Sequence, residues 1–392
     1  MTSSLYIHIP FCANSCDYCD FFSVPINIEN NVNFIDTFID ALLGDIEDQF
    51  AFFGVDYVPT VYMGGGTPSV LGAARIERLL AGLRALLKPM KKVPAEFTIE
   101  ANPESADEDF LQACAAGGVN RISMGVQTFH EPSRHAVHRG GGELLEKRLA
   151  AAAAYFPNAL SADLITGLPF QTAGMVREDI ERLLVFKPVH VSLYSLTLDP
   201  HTPLGRQLSR RGAAALCLPC GDEADSMWIA GRGKLEEFGL AQYEVSNFAL
   251  TGKTCAHNIR YWRMENWLGA GPAASGTIID DKTGSGRRFT YPDDIESYLD
   301  PKNARKTVEE LDRSDLIRES LLMGFRYRKG PDPAIFKKRF GCGIEDCIPK
   351  TISRWRERGF FEAQEDGSLA PSREGLLFLN SFLRDAFSEC SP

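Results

Sequence analysis

The chain has 392 residues, 44% of them hydrophobic, which suffices for a large core and roughly two or three domains. A formal net charge of −10 argues against broad nucleic-acid binding, which needs basic surface. Ten cysteines, with no basic and apolar leader at Met1-Thr-Ser-Ser, read as a reducing, cytosolic setting, and no apolar run approaches the ~20 residues of a membrane span.

Residues 4–9 read as a first strand, and Asn31 to Phe52 as a long helix with Phe34, Ile35, Phe38, Ile39, Leu42, Leu43 and Ile46 at helical spacing. Strands follow at Pro59 to Met63, Glu96 to Glu100, Arg121 to Val126, Ala159 to Ile165 and Val189 to Leu196. Helices alternate with them at Arg75 to Leu87, Asp107 to Ala116, Leu144 to Tyr155 and Met175 to Val185. This alternation implies βαβ units around a parallel sheet, and six strands fit a partial barrel better than a closed eight-stranded one. From Asp199 to Asp225 the pattern dissolves into a long loop with short helical pieces. Met227 to Phe238 is helical and Gln242 to Asn247 extended. A boundary falls near Pro301. Beyond it, helices at Ile335 to Phe340, Ile348 to Arg358 and Arg373 to Phe387 surround a hairpin turning at Asp366-Gly367. The expected fold class is α/β: a partial (β/α)6 TIM-type barrel at 1–235, a linking region at 236–303 and a small, mainly helical domain at 304–392.

In such barrels chemistry collects at the C-terminal strand ends. The stretches following these strands are the ones with chemical character: a cysteine loop, Gly64-Gly65-Gly66-Thr67, Glu100, Gln127, Asp163 and Tyr194. Cys12, Cys16 and Cys19 have C-x3-C-x2-C spacing after the first strand. A cubane iron–sulfur cluster is usually held by four thiolates, so three would leave one iron open to an outside ligand. A zinc site would close with a fourth Cys or His at comparable spacing. His8, the near candidate, alternates inside the strand with Tyr6 and Pro10. The triple glycine lets a ligand approach the backbone, although by itself it also suits a plain tight turn.

The cysteine spacing, with Tyr18 before the last cysteine, resembles the radical S-adenosylmethionine (SAM) superfamily. There the open iron of a [4Fe-4S] cluster chelates SAM. More specifically, Tyr6-Ile-His-Ile-Pro-Phe-Cys12, Cys16-Asp-Tyr-Cys19, Gly64-Gly-Gly-Thr-Pro-Ser69, Glu100-Ala-Asn-Pro103, Gly125-Val-Gln-Thr-Phe129 and Asp163-Leu-Ile-Thr-Gly-Leu-Pro169 resemble the oxygen-independent coproporphyrinogen III oxidase family. The resemblance covers nearly the whole chain. It implies that Cys12, Cys16 and Cys19 ligate the cluster, that Tyr6 lies at the cluster–SAM region, and that Gly65, Gly66, Thr67, Glu100, Gln127, Arg139 and Asp163 line the SAM site.

Within that family two features resemble the heme chaperone branch rather than the oxidases. Phe21 stands where the oxidases carry a further cysteine, and the first strand begins near residue 4, leaving no extension to close over a substrate. A third feature is Cys255-Ala-His257-Asn258-Ile-Arg-Tyr261-Trp262, which resembles the H-N-x-x-Y-W stretch of that branch. Histidine and thiolate are both heme ligands, and the two aromatics offer flat apolar surface. The competing reading is a structural loop with a hydrogen-bonded His257 and packed rings. Ser275 stands where relatives often place a histidine, which weakens any ligand role for its loop. The resemblance implies a protein that binds heme and passes it to heme-acceptor proteins, with an electron donor for the cluster, no nucleic acid, and a cytoplasmic location at or near the inner face of the membrane. The alternative is a coproporphyrinogen III oxidase-like radical SAM enzyme of porphyrin biosynthesis. Cys114 reads as core, and Cys217, Cys220, Cys342, Cys347 and Cys390 as ordinary thiols. His130, His135 and His138, three histidines within nine residues, suit metal binding, but read first as residues of the substrate mouth or of the solvated surface.

Overall fold

The computed structural model describes residues 1–219, 221–300, 306–364 and 368–390. Its first six long strands are β1 (Ser4–Ile9), β2 (Thr60–Gly65), β3 (Glu96–Ala101), β4 (Arg121–Gln127), β5 (Leu160–Thr166) and β6 (His190–Ser195). Side chains alternate along a strand between the two faces of its sheet. One face here is wholly apolar: Leu5, Ile7, Ile9, Val61, Met63, Phe97, Ile99, Ile122, Met124, Ala162, Leu164, Val191 and Leu193 are all buried in one core. That core lies between the strands and helices α1 (Val32–Phe53), α2 (Gly72–Leu87), α3 (Glu108–Ala116), α5 (Leu145–Tyr155), α6 (Ala173–Leu184) and α8 (Asp222–Glu237). Two shorter helices, α4 (Glu131–Ala136) and α7 (Pro203–Arg211), sit in connections that follow the C-terminal ends of β4 and β6.

The other face, turned into the arc, is polar: Ser4, Tyr6 and His8 on β1, Thr60 and Tyr62 on β2, Glu96, Thr98 and Glu100 on β3, Arg121 and Ser123 on β4, Ser161 and Asp163 on β5, His190, Ser192 and Tyr194 on β6. The apolar mass therefore sits outside the barrel wall, and the lumen is lined by hydrogen-bonding groups.

Strands β1 to β6 pair in order and in parallel. The sheet then continues past both edges. Strands β7 (Ala241–Gln242) and β8 (Asn247–Ala249) extend β6 in antiparallel fashion. On the other side β9 (Trp267–Ala270) joins β1 in parallel, and β10 (Ser275–Asp280), β11 (Ser285–Thr290) and β12 (Thr307–Leu311) follow antiparallel. The order is β12-β11-β10-β9-β1-β2-β3-β4-β5-β6-β8-β7, twelve strands in which β1 and β6 do not pair. The barrel is thus an open arc, as six expected strands imply. The six additional strands all come from residues 241–311, which also carry helices α9 (Ala256–Trp262) and α10 (Ile295–Leu299), and they join the barrel where β8 pairs with β6 and β9 with the distant β1.

Two expectations shift. Residues 199–225 hold a regular helix, α7, capped by Thr202 accepting from the Gly205 backbone N–H. Helix α8 starts at Asp222 rather than Met227, with Asp222, Glu223 and Asp225 placed favourably toward its N-terminal dipole. The C-terminal helices α11 (Arg313–Gly324), α12 (Pro333–Phe340), α13 (Ile344–Cys347), α14 (Pro349–Glu357) and α15 (Leu379–Glu389) enclose a second core around Phe325, Trp355 and Phe382. A hairpin, β13 (Phe361–Ala363) with β14 (Leu369–Pro371), completes it. The predicted turn at Asp366-Gly367, the boundary at Pro301 and the Cys220 thiol lie outside the described residues. Arg373 holds this domain to α8 by donating to Glu236 at 2.7 Å.

Candidate functional site

The C-terminal strand ends gather the cysteine loop. Its ends are fixed to β1 by Val24 N–H donating to Pro10 O at 2.7 Å and Ile26 N–H to Cys12 O at 2.9 Å. Its middle is fixed to the segment after α4, where Asp17 N–H donates to Val137 O at 3.1 Å. Cys12, Cys16 and Cys19 are all half-buried and unpaired. Burial pushes the Cys19 thiol up to about 11, and the Cys16 and Cys12 thiols add to the shift. Thr67 Oγ1 lies 3.4 Å from Cys12 Sγ, and the Arg139 guanidinium donates to Cys16 Sγ at 3.8 Å. Three thiols beside a cation suit a metal centre that stabilises thiolates.

The glycine run packs directly on this loop. Gly66 N–H donates to Ile9 O at 2.9 Å and Thr67 N–H to Phe11 O at 2.7 Å. Gly65 has φ +104°, and a Cβ there would lie 2.5 Å from the His8 ring, so only glycine fits. His8 itself bridges Tyr6 Oη (3.1 Å) and the carbonyl of Phe22 (2.8 Å), tying β1 to the far end of the cysteine loop.

Across the mouth, Gln127 sits at a register shift that closes β4, with φ +67°. A non-glycine residue in this conformation is strained. The bend turns its amide over Gly125, where a Cβ would lie 3.1 Å from Gln127 Nε2 and 2.8 Å from Arg139 Nη2. Gln127 Oε1 and Arg139 Nε are buried without a hydrogen-bond partner. Buried polar atoms are nearly always paired, so these two fit a polar ligand at the mouth. Glu100 accepts from Tyr62 Oη at 2.6 Å, and burial raises its carboxyl to about 7. Burial also raises Asp163, which accepts from Ser123 Oγ at 3.2 Å. Tyr6 lies one layer deeper, stacked on Tyr62 with centroids 6.4 Å apart. The structure thus brings Cys12, Cys16, Cys19, Gly65, Gly66, Thr67, Glu100, Gln127, Arg139 and Asp163 to one end of the barrel, with Tyr6 below them.

The two heme-ligand candidates, His257 and Cys255, lie at the opposite end. They begin α9 (Ala256–Trp262), which closes the N-terminal strand ends. Glu96, the first residue of β3, accepts from Cys255 Sγ (3.3 Å), Ala256 N–H (3.0 Å), His257 N–H (2.9 Å) and Arg121 Nε (3.1 Å). Arg121 also donates to Ser161 and to the carbonyls of Lys253 and Thr254. His257 Nδ1 meets Thr60 Oγ1 at 2.9 Å, and Arg260 donates to Ser4 Oγ at 2.6 Å. His190 and Cys255 N–H share the hydroxyl of Tyr243. The first inward residues of five strands are therefore tied directly to residues 243–260, and that of β5, Ser161, is tied through Arg121.

His257 is 1% exposed and its ring packs on Tyr62 and edge-on to Tyr261. Burial lowers it to about 3, so it is neutral, and its Nε2 has no partner. Trp262 packs beside Tyr243 and Tyr327, and Ser275 lies within β10, its carbonyl accepting from Trp267 Nε1. Of the two readings of this motif, the geometry matches the packed, hydrogen-bonded one. A macrocycle reaches Cys255 or His257 only if the floor opens.

Sequence reasoning missed Tyr62, Ser123, Glu96, Arg121 and the polar lumen as a whole. The signal was present: buried strands of parallel sheets normally read as continuous apolar runs, whereas these alternate polar and apolar residues, broken by Leu164-Ile165 on β5. Cys342 and Cys347 form a close pair, Sγ to Sγ 3.6 Å, while Cys114 is core as expected.

Residues 6–183 match the radical SAM superfamily. The chain is 36% identical over 357 residues to the heme chaperone HemW of Lactococcus lactis subsp. lactis, covering 90% of this chain and 88% of that one. It is 36% identical over 389 residues to the heme chaperone HemW of Escherichia coli, covering 97% of each. Among solved structures, coproporphyrinogen III oxidase (HemN) from Escherichia coli superposes with a TM-score of 0.80 at 24% identity, over 98% of this chain and 90% of that one, a likeness of fold. Identity at this level across barrel and C-terminal domain alike places the chain: it belongs to the HemW family of the radical SAM superfamily.

Proposed function

We propose that this protein is a heme chaperone of radical SAM type, which binds heme and transfers it to other proteins. The observation that carries this reading is the 36% identity to HemW chaperones across 97% of the chain. The fold shared with the oxidase does not favour oxidase activity, because one barrel hosts many chemistries.

Cys12, Cys16 and Cys19 would hold a [4Fe-4S] cluster, with SAM as its ligand from outside the protein. When bound, this pair supplies one-electron chemistry at the sulfonium of SAM. The chain's own groups do the rest. The Gly64–Thr67 turn, without side chains at its first three positions, would let the amino acid part of SAM come close to the backbone. Gln127 Oε1 and Arg139 Nε offer one acceptor and one donor with no internal partner. Glu100 and Asp163 supply carboxylates for hydroxyls, and Tyr62 fixes the rotamer of Glu100 through its 2.6 Å hydrogen bond. Arg139 offsets thiolate charge at Cys16.

Heme-acceptor proteins, an electron donor for the cluster, and a cytoplasmic location at the inner membrane face complete the proposal. No helix among the described residues is long and apolar enough to cross a membrane. The division at 1–235, 236–303 and 304–392 is retained as a functional one: cofactor barrel, floor and sheet extension, and C-terminal domain with its own core.

Heme titration of the reconstituted protein, followed by transfer to an apo-hemoprotein, tests this reading beside an anaerobic coproporphyrinogen assay. A Soret band with transfer and no tetrapyrrole turnover is expected. Stoichiometric decarboxylation with 5′-deoxyadenosine release would replace it with the oxidase reading.

A further inference from the structure

A heme needs a soft or nitrogenous ligand for iron, apolar surface for its ring and cations for its two carboxylates. The chain has seven histidines. His8, His190 and His257 are buried within the barrel. His130 Nδ1 is held by Ser133 Oγ at 2.9 Å. His135 Nε2 lies 3.6 Å from Glu131, one exposed group beside another on the same helix. His201 is exposed in the connection before α7.

His138 differs from all of these. Its side chain is 72% exposed, while its Nδ1 lies 3.0 Å from Oδ2 of Asp17, a carboxylate only 12% exposed. With Asp17 on its Nδ1 side, the exposed ring leaves Nε2 for an outside partner. A carboxylate behind a ring nitrogen is the usual support of a metal-ligating histidine. The backbone is fixed on both sides: Val137 O accepts from Asp17 N–H, and Arg139 N–H donates to Arg134 O at 2.9 Å. His138 itself has φ +52°, which turns its ring out of the chain path.

Asp17 is a residue of the cysteine loop, so this ring stands at the mouth of the barrel. Beside it, the half-buried Tyr18, Leu198 and Leu216 cover the buried Val137, Leu168 and Leu204 and are the apolar groups that face outward here. Helix α7 docks on the same residue: Leu204 N–H donates to the Asp17 backbone carbonyl at 2.8 Å, and Gln207 Nε2 donates to the Asp17 carboxylate Oδ2 at 3.5 Å. Arg210 and Arg211 follow Gln207 at helical spacings of three and four, on the face that carries Gln207, and both are exposed.

We propose that heme binds over the mouth, its iron ligated by His138 Nε2 and its carboxylates turned toward Arg210 and Arg211. This rests on the heme chaperone reading and names the site within it. It also places the cargo beside the cluster loop rather than at the closed floor.

The test is heme titration of the full-length, cluster-reconstituted protein, followed by difference absorbance and by electron paramagnetic resonance of the ferric heme. Wild type gives an imidazole-ligated signature. His138→Ala weakens heme binding about tenfold or more and loses that signature, and added imidazole restores it. Arg210→Ala with Arg211→Ala weakens binding severalfold and leaves the signature intact. Iron and sulfide content stay at the wild-type level in each. The inference is overturned if His138→Ala binds heme with wild-type affinity and spectrum, or if His257→Ala or Cys217→Ser removes the imidazole or thiolate signature in its place. Absence of any Soret band from wild type would overturn the chaperone reading itself.

Discussion

The two ends of this barrel are built from the same six strands and the same kinds of residue, yet they differ in how their charged groups are used. At the floor, Glu96 takes four donors and Arg121 gives to four acceptors, closing one network over the strand ends, and the atoms left unpaired there, His257 Nε2, His190 Nδ1 and Trp262 Nε1, belong to neutral rings. At the mouth, Gln127 Oε1 and Arg139 Nε are buried and unpaired, and two carboxylates are held in surroundings that raise them toward the protonated form. A paired network stabilises the fold. An unpaired one costs stability unless something binds. The difference separates residues that hold the barrel together from residues that hold a ligand, even where both sets are polar and buried.

The largest effect that can break this division lies in the cysteine loop. Cys16→Ser should abolish the bound iron and the broad visible absorbance of the reconstituted protein, because three thiolates already leave one iron without a protein ligand. Urea unfolding of the cluster-free variant should match that of cluster-free wild type, since Cys16 belongs to the mouth. Retention of four irons per chain would sink the ligand assignment.

At the floor the expectation is reversed. Glu96→Ala removes the acceptor for Arg121, Cys255 and two backbone N–H groups at once, leaving a buried cation and unpaired donors. Such losses cost about 3–5 kcal/mol. Urea denaturation should show a midpoint shift of that size, with the iron content of the surviving folded fraction unchanged. A variant as stable as wild type would remove the structural role assigned to the 255–260 segment.

How much of this division could be read in the sequence depends on distance along the chain. The barrel strands, their helices and the mouth residues rest on local patterns: helical spacing, strand ends, and motifs within ten or so residues of one another. The floor rests on pairing between Ser4 and Arg260, Thr60 and His257, or Glu96 and Ala256, which no local pattern announces. The same holds for β9 beside β1. The H-N-x-x-Y-W motif was legible as a motif, but its chemistry was ambiguous because a buried histidine and a ligand histidine look alike until their surroundings are known. His138 shows the converse: three histidines in a turn were visible, whereas the Asp17 carboxylate behind one of them was not.

A smaller effect concerns protonation at the mouth. Glu100 is raised from 4.5 to about 7, chiefly by burial, so the folded state binds a proton there that the unfolded state has released. Stability contributed by this group is full below about pH 4.5 and falls as pH rises through about 7. The Glu100→Gln variant should lose that decline. Between pH 5 and pH 8, ligand-free wild type should lose roughly 1–2 kcal/mol more than the variant in urea unfolding. Parallel curves would mean that Glu100 is solvated in the folded protein. Saturating SAM should flatten the wild-type slope if the ligand's hydroxyls pair with the carboxylate.

The smallest effect on stability is expected at Gln127, and it draws the line between the two ends most sharply. Gln127→Gly removes a side chain whose Oε1 has no partner and relaxes a backbone held at φ +67°. Relief of the left-handed conformation favours the variant by about 1–2 kcal/mol, and the greater chain freedom of glycine opposes it by about 0.5–1 kcal/mol. Net stability should therefore stay within about 1 kcal/mol of wild type. SAM affinity, read by isothermal calorimetry on the cluster-loaded protein, should fall about tenfold, the equivalent of ~1.4 kcal/mol for one lost polar contact. A residue kept in a strained conformation for the fold's sake would show the opposite pair: unchanged SAM binding and a large loss of stability.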